Sequence, residues 1–196
     1  MISVFVCAAG VPLSFTFFDV PIARWVSQNL GILTGIGSGL GSAAILSLEA
    51  AIALSLVVAR LVRGHLSPLG EALALACLTS LCAHAVNDGV LKLLFGVPNP
   101  QRVLLHGADH TLHLLSGSQD SSFPSGHMVL AAAFAGVFMK LYPSSIRPLS
   151  ALLLFGAILL VIGEWHFMSD VIAGTLAGVS AGVLAGELWQ AHSRSG

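Results

Sequence analysis

The sequence predicts an all-α polytopic membrane protein, one domain over residues 1–196, with about six transmembrane helices and a helix lying at the membrane surface near the N-terminus. Three observations lead there. Hydrophobic residues make up 56% of the chain and charged residues 9%, where a soluble domain carries charge on roughly a quarter of its residues. Mean hydropathy is +0.91. The apolar residues also fall in separate runs long enough to cross a bilayer, with little chain left over for a domain outside it.

In order, the expected crossings are Ile2 to Phe18, Ala43 to Val62, Glu71 to Phe95, Met128 to Leu141, Leu149 to Gly163 and Val171 to Trp189. The first lacks a basic leader and ends at an acidic residue instead of a cleavage site, so it reads as a retained helix, not a signal peptide. The segment Asp19 to Leu30, with Pro21, Arg24 and Trp25, reads as an amphipathic interfacial helix. Gly31, Gly35, Gly37, Gly39 and Gly41 suggest an irregular entry into the second crossing. In the last, Gly174, Gly178, Gly182 and Gly186 line one face, which favours close packing within the chain over dimerisation.

Arg60, Arg63, Lys140, Arg147 and Arg194 flank the helices on one side, and Arg24, Lys92 and Arg102 on the other. The more basic side is expected to be cytoplasmic, in a bacterial plasma membrane, which puts the long loop Val97 to Pro124 on the extracytoplasmic face. A net charge of -1 without a basic run gives nucleic acid no footprint. Cys7, Cys77 and Cys82 lack the spacing of a zinc site or a disulfide framework and read as packing residues.

Two clusters carry the chemistry: Ser122-Phe123-Pro124-Ser125-Gly126-His127 before the fourth crossing, and His166-Phe167-Met168-Ser169-Asp170 before the sixth. Both belong on the extracytoplasmic side. Pro124 and Ser125 signal a helix start, whose free amides and dipole attract an anion. His166 and Asp170 are one helical turn apart, so the carboxylate can orient the imidazole. Lys92 ends the third crossing on the same side and, as a flexible point charge, suits a phosphate oxygen. Together they describe phosphoryl transfer through a covalent phosphohistidine.

Lys92 with Phe95-Gly96-Val97-Pro98-Asn99-Pro100, then Pro124-Ser125-Gly126-His127, then His166-x3-Asp170 with Val171-Ile172-Ala173-Gly174, resembles the three signatures of the type-2 phosphatidic acid phosphatase superfamily in order, spacing and helix context. The resemblance implies a six-helix membrane fold and a reaction that needs neither metal nor other cofactor. By it, His166 attacks phosphorus, Asp170 orients His166, His127 protonates the leaving group, and Lys92 with the amides near Ser125 and Gly126 holds the phosphoryl oxygens. Its partners would be a lipid phosphate and the surrounding membrane lipids; the oligomeric state stays undefined.

Two departures stand out. Where the first signature has Arg-Pro the chain has Asn99-Pro100, and six residues before His166 it offers Leu160 in place of an arginine. Charge-assisted hydrogen bonds are worth about 1.5–3 kcal/mol each, so two lost arginines remove several kcal/mol of binding to a phosphomonoester dianion. Three explanations stay open. Arg102, His106, His110 or His113 folds over the site; the substrate is a monoanionic diester, as for the sphingolipid head-group transferases that share the His-x3-Asp pattern without that arginine; or the chain is a weakened relative. Asn99, Arg102 and Glu164 therefore join Lys92, Ser125 and Gly126 as substrate-contacting candidates, Glu164 as a partner for a hydroxyl or a head-group amine.

Other groups admit two readings. His84, Asn87, Asp88 and Lys92 share a helix face, a stripe that supports Lys92 more readily than it makes Asp88 catalytic. Glu49 inside the second crossing is either functional or a neutral, hydrogen-bonded acid. His106, His110 and His113 would bind a metal if their loop were helical, but a histidine mechanism needs none. The expectation is an integral membrane hydrolase of phospholipid metabolism, a lipid phosphatase acting on a phosphomonoester or diphosphate. A lipid phosphotransferase acting on a phosphodiester head group and a non-catalytic lipid-binding relative are the alternatives.

Overall fold

A computed structural model describes residues 2–30, 42–118 and 120–195, and every regular element among them is helical. The order is α1 (Ile2–Phe17), α2 (Asp19–Leu30), α3 (Ser42–Arg63), α4 (Pro68–Val86), a π-helical turn (Asn87–Leu91), α5 (Lys92–Phe95), α6 (Pro100–His106), α7 (Gly126–Leu141), a 3-10 turn (Pro143–Ser145), α8 (Ile146–Ile162) and α9 (Met168–Ser195). Four stretches are long and apolar enough to cross a membrane: Ala43–Arg63, Pro68–His106, Pro143–Ile162 and Met168–Arg194. Gly126–Leu141 is a shorter apolar helix. The chain is a helical membrane protein. The glycine cluster at positions 31 to 41 lies outside the described residues.

The core is the pair α7 and α9, with α4 against α7 and α1 against α9. Along α7, Met128, Val129, Leu130, Ala132, Ala133, Ala135 and Val137 are buried. On α8 only Leu153 is. The rest of α8, with exposed Leu152, Leu154, Phe155, Ile158 and Leu159, is left to face lipid tails. The glycine stripe of α9 is turned toward α7. A Cβ at Gly174 would lie 2.6 Å from the Ser125 carbonyl oxygen, and one at Gly178 would lie 2.7 Å from that of Val129. Intramolecular packing therefore uses this face. α2 buries Asp19, Ala23 and Val26 at helical spacing and exposes Trp25.

The long loop is not unstructured. Asn99 caps α6, its Oδ1 accepting from Arg102 N at 2.9 Å, and Pro100 takes the first helical position. The loop then folds back on the end of α5, where His113 N, Leu115 N and Gly117 N donate to the carbonyls of Phe95, Leu94 and Leu93 at 3.0, 2.9 and 3.1 Å. These are carbonyls a helix end leaves without partners. The approach needs Gly96, at φ 60°, and Gly117, because a Cβ on either would collide with backbone.

One buried carboxylate ties the N-terminal helices to α9. Asp19 accepts from Ser14 Oγ at 2.8 Å and from Ser169 N at 2.9 Å, and also from Ser169 Oγ. His110 Nε2 stands 3.4 Å from its Oδ2. Burial works against the charge, but the nearby His110 imidazole and the bonds from Ser169 and Ser14 outweigh it and hold the Asp19 carboxyl below its ordinary value of 3.8.

Two stability predictions follow from this packing. Gly178→Ala places a methyl 2.8 Å from both Ala132 Cβ and Ala133 N, neither of which can swing away. It should cost about 1–3 kcal/mol, read as a lower unfolding temperature in detergent. Gly156→Ala on α8, where nothing lies within 4 Å, should leave that temperature unchanged or raised. For Asp19, a depressed native pKa means its contribution is present above pH 3.8 and lost as pH falls through the lower native value. Asp19→Asn should therefore destabilise by about 1.5–3 kcal/mol at pH 7. The gap to wild type should close in acid; a gap independent of pH would refute the ionised carboxylate.

Candidate active site

The first turns of α7 and α9 start side by side. Ser125 N donates to the Asp170 carbonyl at 3.1 Å, so the segment that opens α7 is bonded directly to the turn that opens α9. Ser125 also caps its own helix, Oγ accepting from Met128 N at 3.4 Å. Its amide is thus already engaged, and the amides of Gly126 and His127 are the remaining groups of that helix start that an anion would meet.

His166 and Asp170 are buried, with Nδ1 3.4 Å from Oδ2. The same Oδ2 accepts from Phe167 N at 2.8 Å and from Ser122 Oγ. Ser122 Oγ lies 3.3 Å from His166 Nδ1, so hydroxyl, carboxylate and imidazole meet around one point. With Nδ1 turned to this pair, Nε2 is the ring nitrogen left to face a substrate. Ser122 is held in turn through Ser122 N, which donates to Val97 O at 2.8 Å.

The ring of His127 stands 5.7 Å, centroid to centroid, from that of His166 and 5.5 Å from Trp165. Its Nε2 is buried without a hydrogen-bond partner among the described residues. Lys92 follows the π-helical turn and its Nζ lies 3.0 Å from Asp88 Oδ1, while His84 Nε2 is 3.4 Å from Asp88 Oδ2. Asn87, fully buried in the π turn, donates to Pro124 O at 3.3 Å and so binds this stripe to the segment before His127. π turns of this kind commonly sit at functional sites. A Cβ on Gly126 would come within 3.0 Å of His84, so the glycine admits the stripe to the start of α7. His127, His166, Lys92, Asp170, Ser125 and Gly126 therefore occupy one end of the bundle.

The remaining candidates have other surroundings. Asn99 is engaged in capping α6, and the exposed Arg102 guanidinium is 4.0 Å from Asp120. Leu160 packs against the α7–α9 core, and its carbonyl accepts from Trp165 N and His166 N at 3.1 and 3.3 Å. Glu164 is buried in a left-handed turn at φ 58°, and its Oε1 has no partner among the described residues. That backbone conformation costs a non-glycine residue about 1–3 kcal/mol.

The loop histidines separate. His106 ends α6, His110 is turned into Asp19, and His113 Nε2 pairs with Thr111 Oγ1 at 3.2 Å. The helical loop that would have aligned them for a metal is not formed, and among the described residues no group of three His, Cys, Asp or Glu is gathered for one. Glu49 is buried, and its Oε2 has no hydrogen-bond partner among the described residues. Cys77 is buried, but Cys82 on α4 is exposed, correcting its reading as a packing residue.

Neither a curated protein nor a solved structure matches the chain. The sequence profile of the PAP2 superfamily matches residues 72–194, from the start of α4 to the end of α9, and this span contains all three signature segments together with Ser122. Members of that superfamily act on phosphate esters as phosphohydrolases and phosphotransferases, and this chain belongs to the PAP2 superfamily.

Proposed function

We propose that the protein is a multi-pass lipid-phosphate phosphatase of a bacterial plasma membrane, working at the extracytoplasmic face through a phosphohistidine on His166. The observation that carries it is the meeting of His166, Asp170 and Ser122, with His127 5.7 Å from His166, at one end of an apolar bundle. In this reading α1 and α7, apolar helices of 16 residues each, serve as short crossings beside the four longer spans, which would make six. Lys140 and Arg194 lie at the end opposite the site, in keeping with a cytoplasmic basic end.

In this mechanism Asp170 and Ser122 hold His166 with its proton on Nδ1, which leaves the Nε2 lone pair free to attack phosphorus. The phosphorus–oxygen bond to the lipid breaks as the N–P bond forms, and protonated His127 gives its proton to the departing alkoxide. Lys92 and the amides of Gly126 and His127 take the charge on the phosphoryl oxygens. Neutral His127 next accepts a proton from water, which attacks the phosphohistidine and returns His166 with inorganic phosphate.

A second reading has a specific observation behind it. The two positions where relatives carry arginines hold a helix cap, Asn99, and a core residue, Leu160. A site with that little cationic charge suits a monoanionic phosphodiester better than a dianionic monoester, and a lipid alcohol replacing water would make the protein a head-group transferase. Glu164, a buried acid two residues from His166, would then suit a head-group amine or hydroxyl.

Kinetics on a panel of lipid phosphomonoesters, diphosphates and phosphodiesters, scoring phosphate release and head-group exchange separately, distinguishes these. His127→Ala should lower kcat by about 10²–10⁴-fold, and Asp170→Asn should lower kcat with KM nearly unchanged. Phosphate release supports hydrolysis, exchange supports transfer, and neither in a folded wild-type protein would mean a lipid-binding relative without catalysis. A variant Asp170→Asn whose main defect is a raised KM would move Asp170 into substrate binding.

A further inference from the structure

Asp19 precedes the residues matched to the superfamily, 72–194, yet it is bonded to the turn that carries the proposed nucleophile and its orienting acid. Ser169, the residue before Asp170, gives it both its amide, at 2.9 Å to Oδ1, and its hydroxyl. On the opposite side Ser14 Oγ donates to Oδ1 at 2.8 Å, and His110 Nε2 stands 3.4 Å from Oδ2. The His110 ring lies between Phe15 and Phe167, each 4.3 Å away, and Phe167 is in turn the residue whose amide is bonded to Asp170. Three stretches far apart in sequence thus close on one buried carboxylate: the α1–α2 corner, the long loop and the first turn of α9.

We propose that Asp19, with Ser169 and His110, is a positioning clasp that sets the orientation of the His166–Asp170 turn for the reaction, an inference that rests on His166 and Asp170 acting as proposed above. The contacts of Asp170 explain why a clasp matters. Phe167 N, Ser122 Oγ and His166 Nδ1 all converge on Oδ2. That convergence holds only while the turn from 166 to 170 keeps its rotation relative to the segment before α7. Ser125 N anchors this turn from the α7 side, and Asp19 anchors it at the next residue from the α1 side. The carboxylate also satisfies a first-turn amide of α9 and favours the positive end of that helix. Displacing a reacting group by about 1 Å costs about 10²-fold in rate even when the fold is intact.

The test uses the full chain in detergent micelles, with dioctanoyl phosphatidic acid as the probe substrate, at a temperature where every variant is folded. Asp19→Asn and Ser169→Ala should each lower kcat by about 10- to 100-fold with KM changed less than about twofold. The double variant should be no worse than the poorer single, since both act through one contact. His110→Gln should give a smaller loss of kcat.

A readout that needs no turnover runs beside it: carbethoxylation of His166 by diethyl pyrocarbonate, followed by peptide mass spectrometry, should be faster in Asp19→Asn and Ser169→Ala than in wild type. Wild-type kcat and labelling rate in the folded variants would overturn the clasp, as would a raised KM at unchanged kcat. If Asp19→Asn does not fold, Ser169→Ala carries the same two outcomes. If the wild type neither releases phosphate from the probe nor passes its phosphoryl group to a lipid alcohol, the enzymatic reading fails for phosphomonoesters, and the clasp is then judged by the labelling of His166 alone.

Discussion

The distance at which α7 can lie against α9 governs the active end of this protein. Glycine at every fourth position of α9 removes the Cβ atoms that would hold the two helices apart, and Gly136 does the same from α7, where a Cβ would fall 2.8 Å from the Val179 carbonyl oxygen. At that spacing the Ser125 amide reaches the Asp170 carbonyl, and the two helix starts become one unit. His127, on α7, and His166, in the bend that leads into α9 and 39 residues away in the numbering, then face each other as a consequence of backbone approach. Widening the packing by one methyl at Gly178 would act on the site from below, through the geometry of both helix starts.

The second constraint is the solvent. Apolar surface gains little by packing against other helices when lipid tails are the alternative, so buried polar groups do much of the specifying, and each needs a partner. Asn87 to Pro124, Ser80 to Leu130 and Asp19 to Ser169 are such pairs, and each joins α7, α9 or the segment before α7 to a different part of the chain. The loop obeys the same rule by spending its amides on the open carbonyls of α5, which carries Ser122 to the His166–Asp170 pair.

Local patterns in the sequence account for what could be read from it. Apolar runs locate the helices within a few residues, Pro124-Ser125 locates the start of α7, and the four-residue spacing of His166 and Asp170 puts imidazole and carboxylate side by side. Partners separated by long stretches leave no such trace. Ser122 opens the cluster before α7, but at 44 residues from His166 nothing local marks it as that imidazole's partner, and Asp19, 150 residues from Ser169, has no local mark at all. Asn99-Pro100 shows a different failure. Aligned with a signature it reads as a lost arginine, but Asn followed by Pro is also a helix start, and the short α6 was legible in that pair. His110 looked like a ligand or a cation held over the site because its aromatic and carboxylate neighbours come from elsewhere in the chain.

Charge is where this site differs from the signatures it otherwise follows. Asn99 and Leu160 serve structural ends, so under the proposed function binding of the phosphoryl group would fall to Lys92, held near Asp88, and to helix-start amides. The account nonetheless depends on one covalent bond, between phosphorus and Nε2 of His166. Its most direct test is to mix the His127→Ala protein, slowed in both steps, with substrate in excess, quench in alkali, where phosphohistidine survives, and map the phosphorylated peptide by mass spectrometry. The account predicts a single phosphoryl group on His166, absent from His166→Ala. Turnover in the wild type with the phosphoryl group on another residue, or with substantial activity retained by His166→Ala, would contradict it.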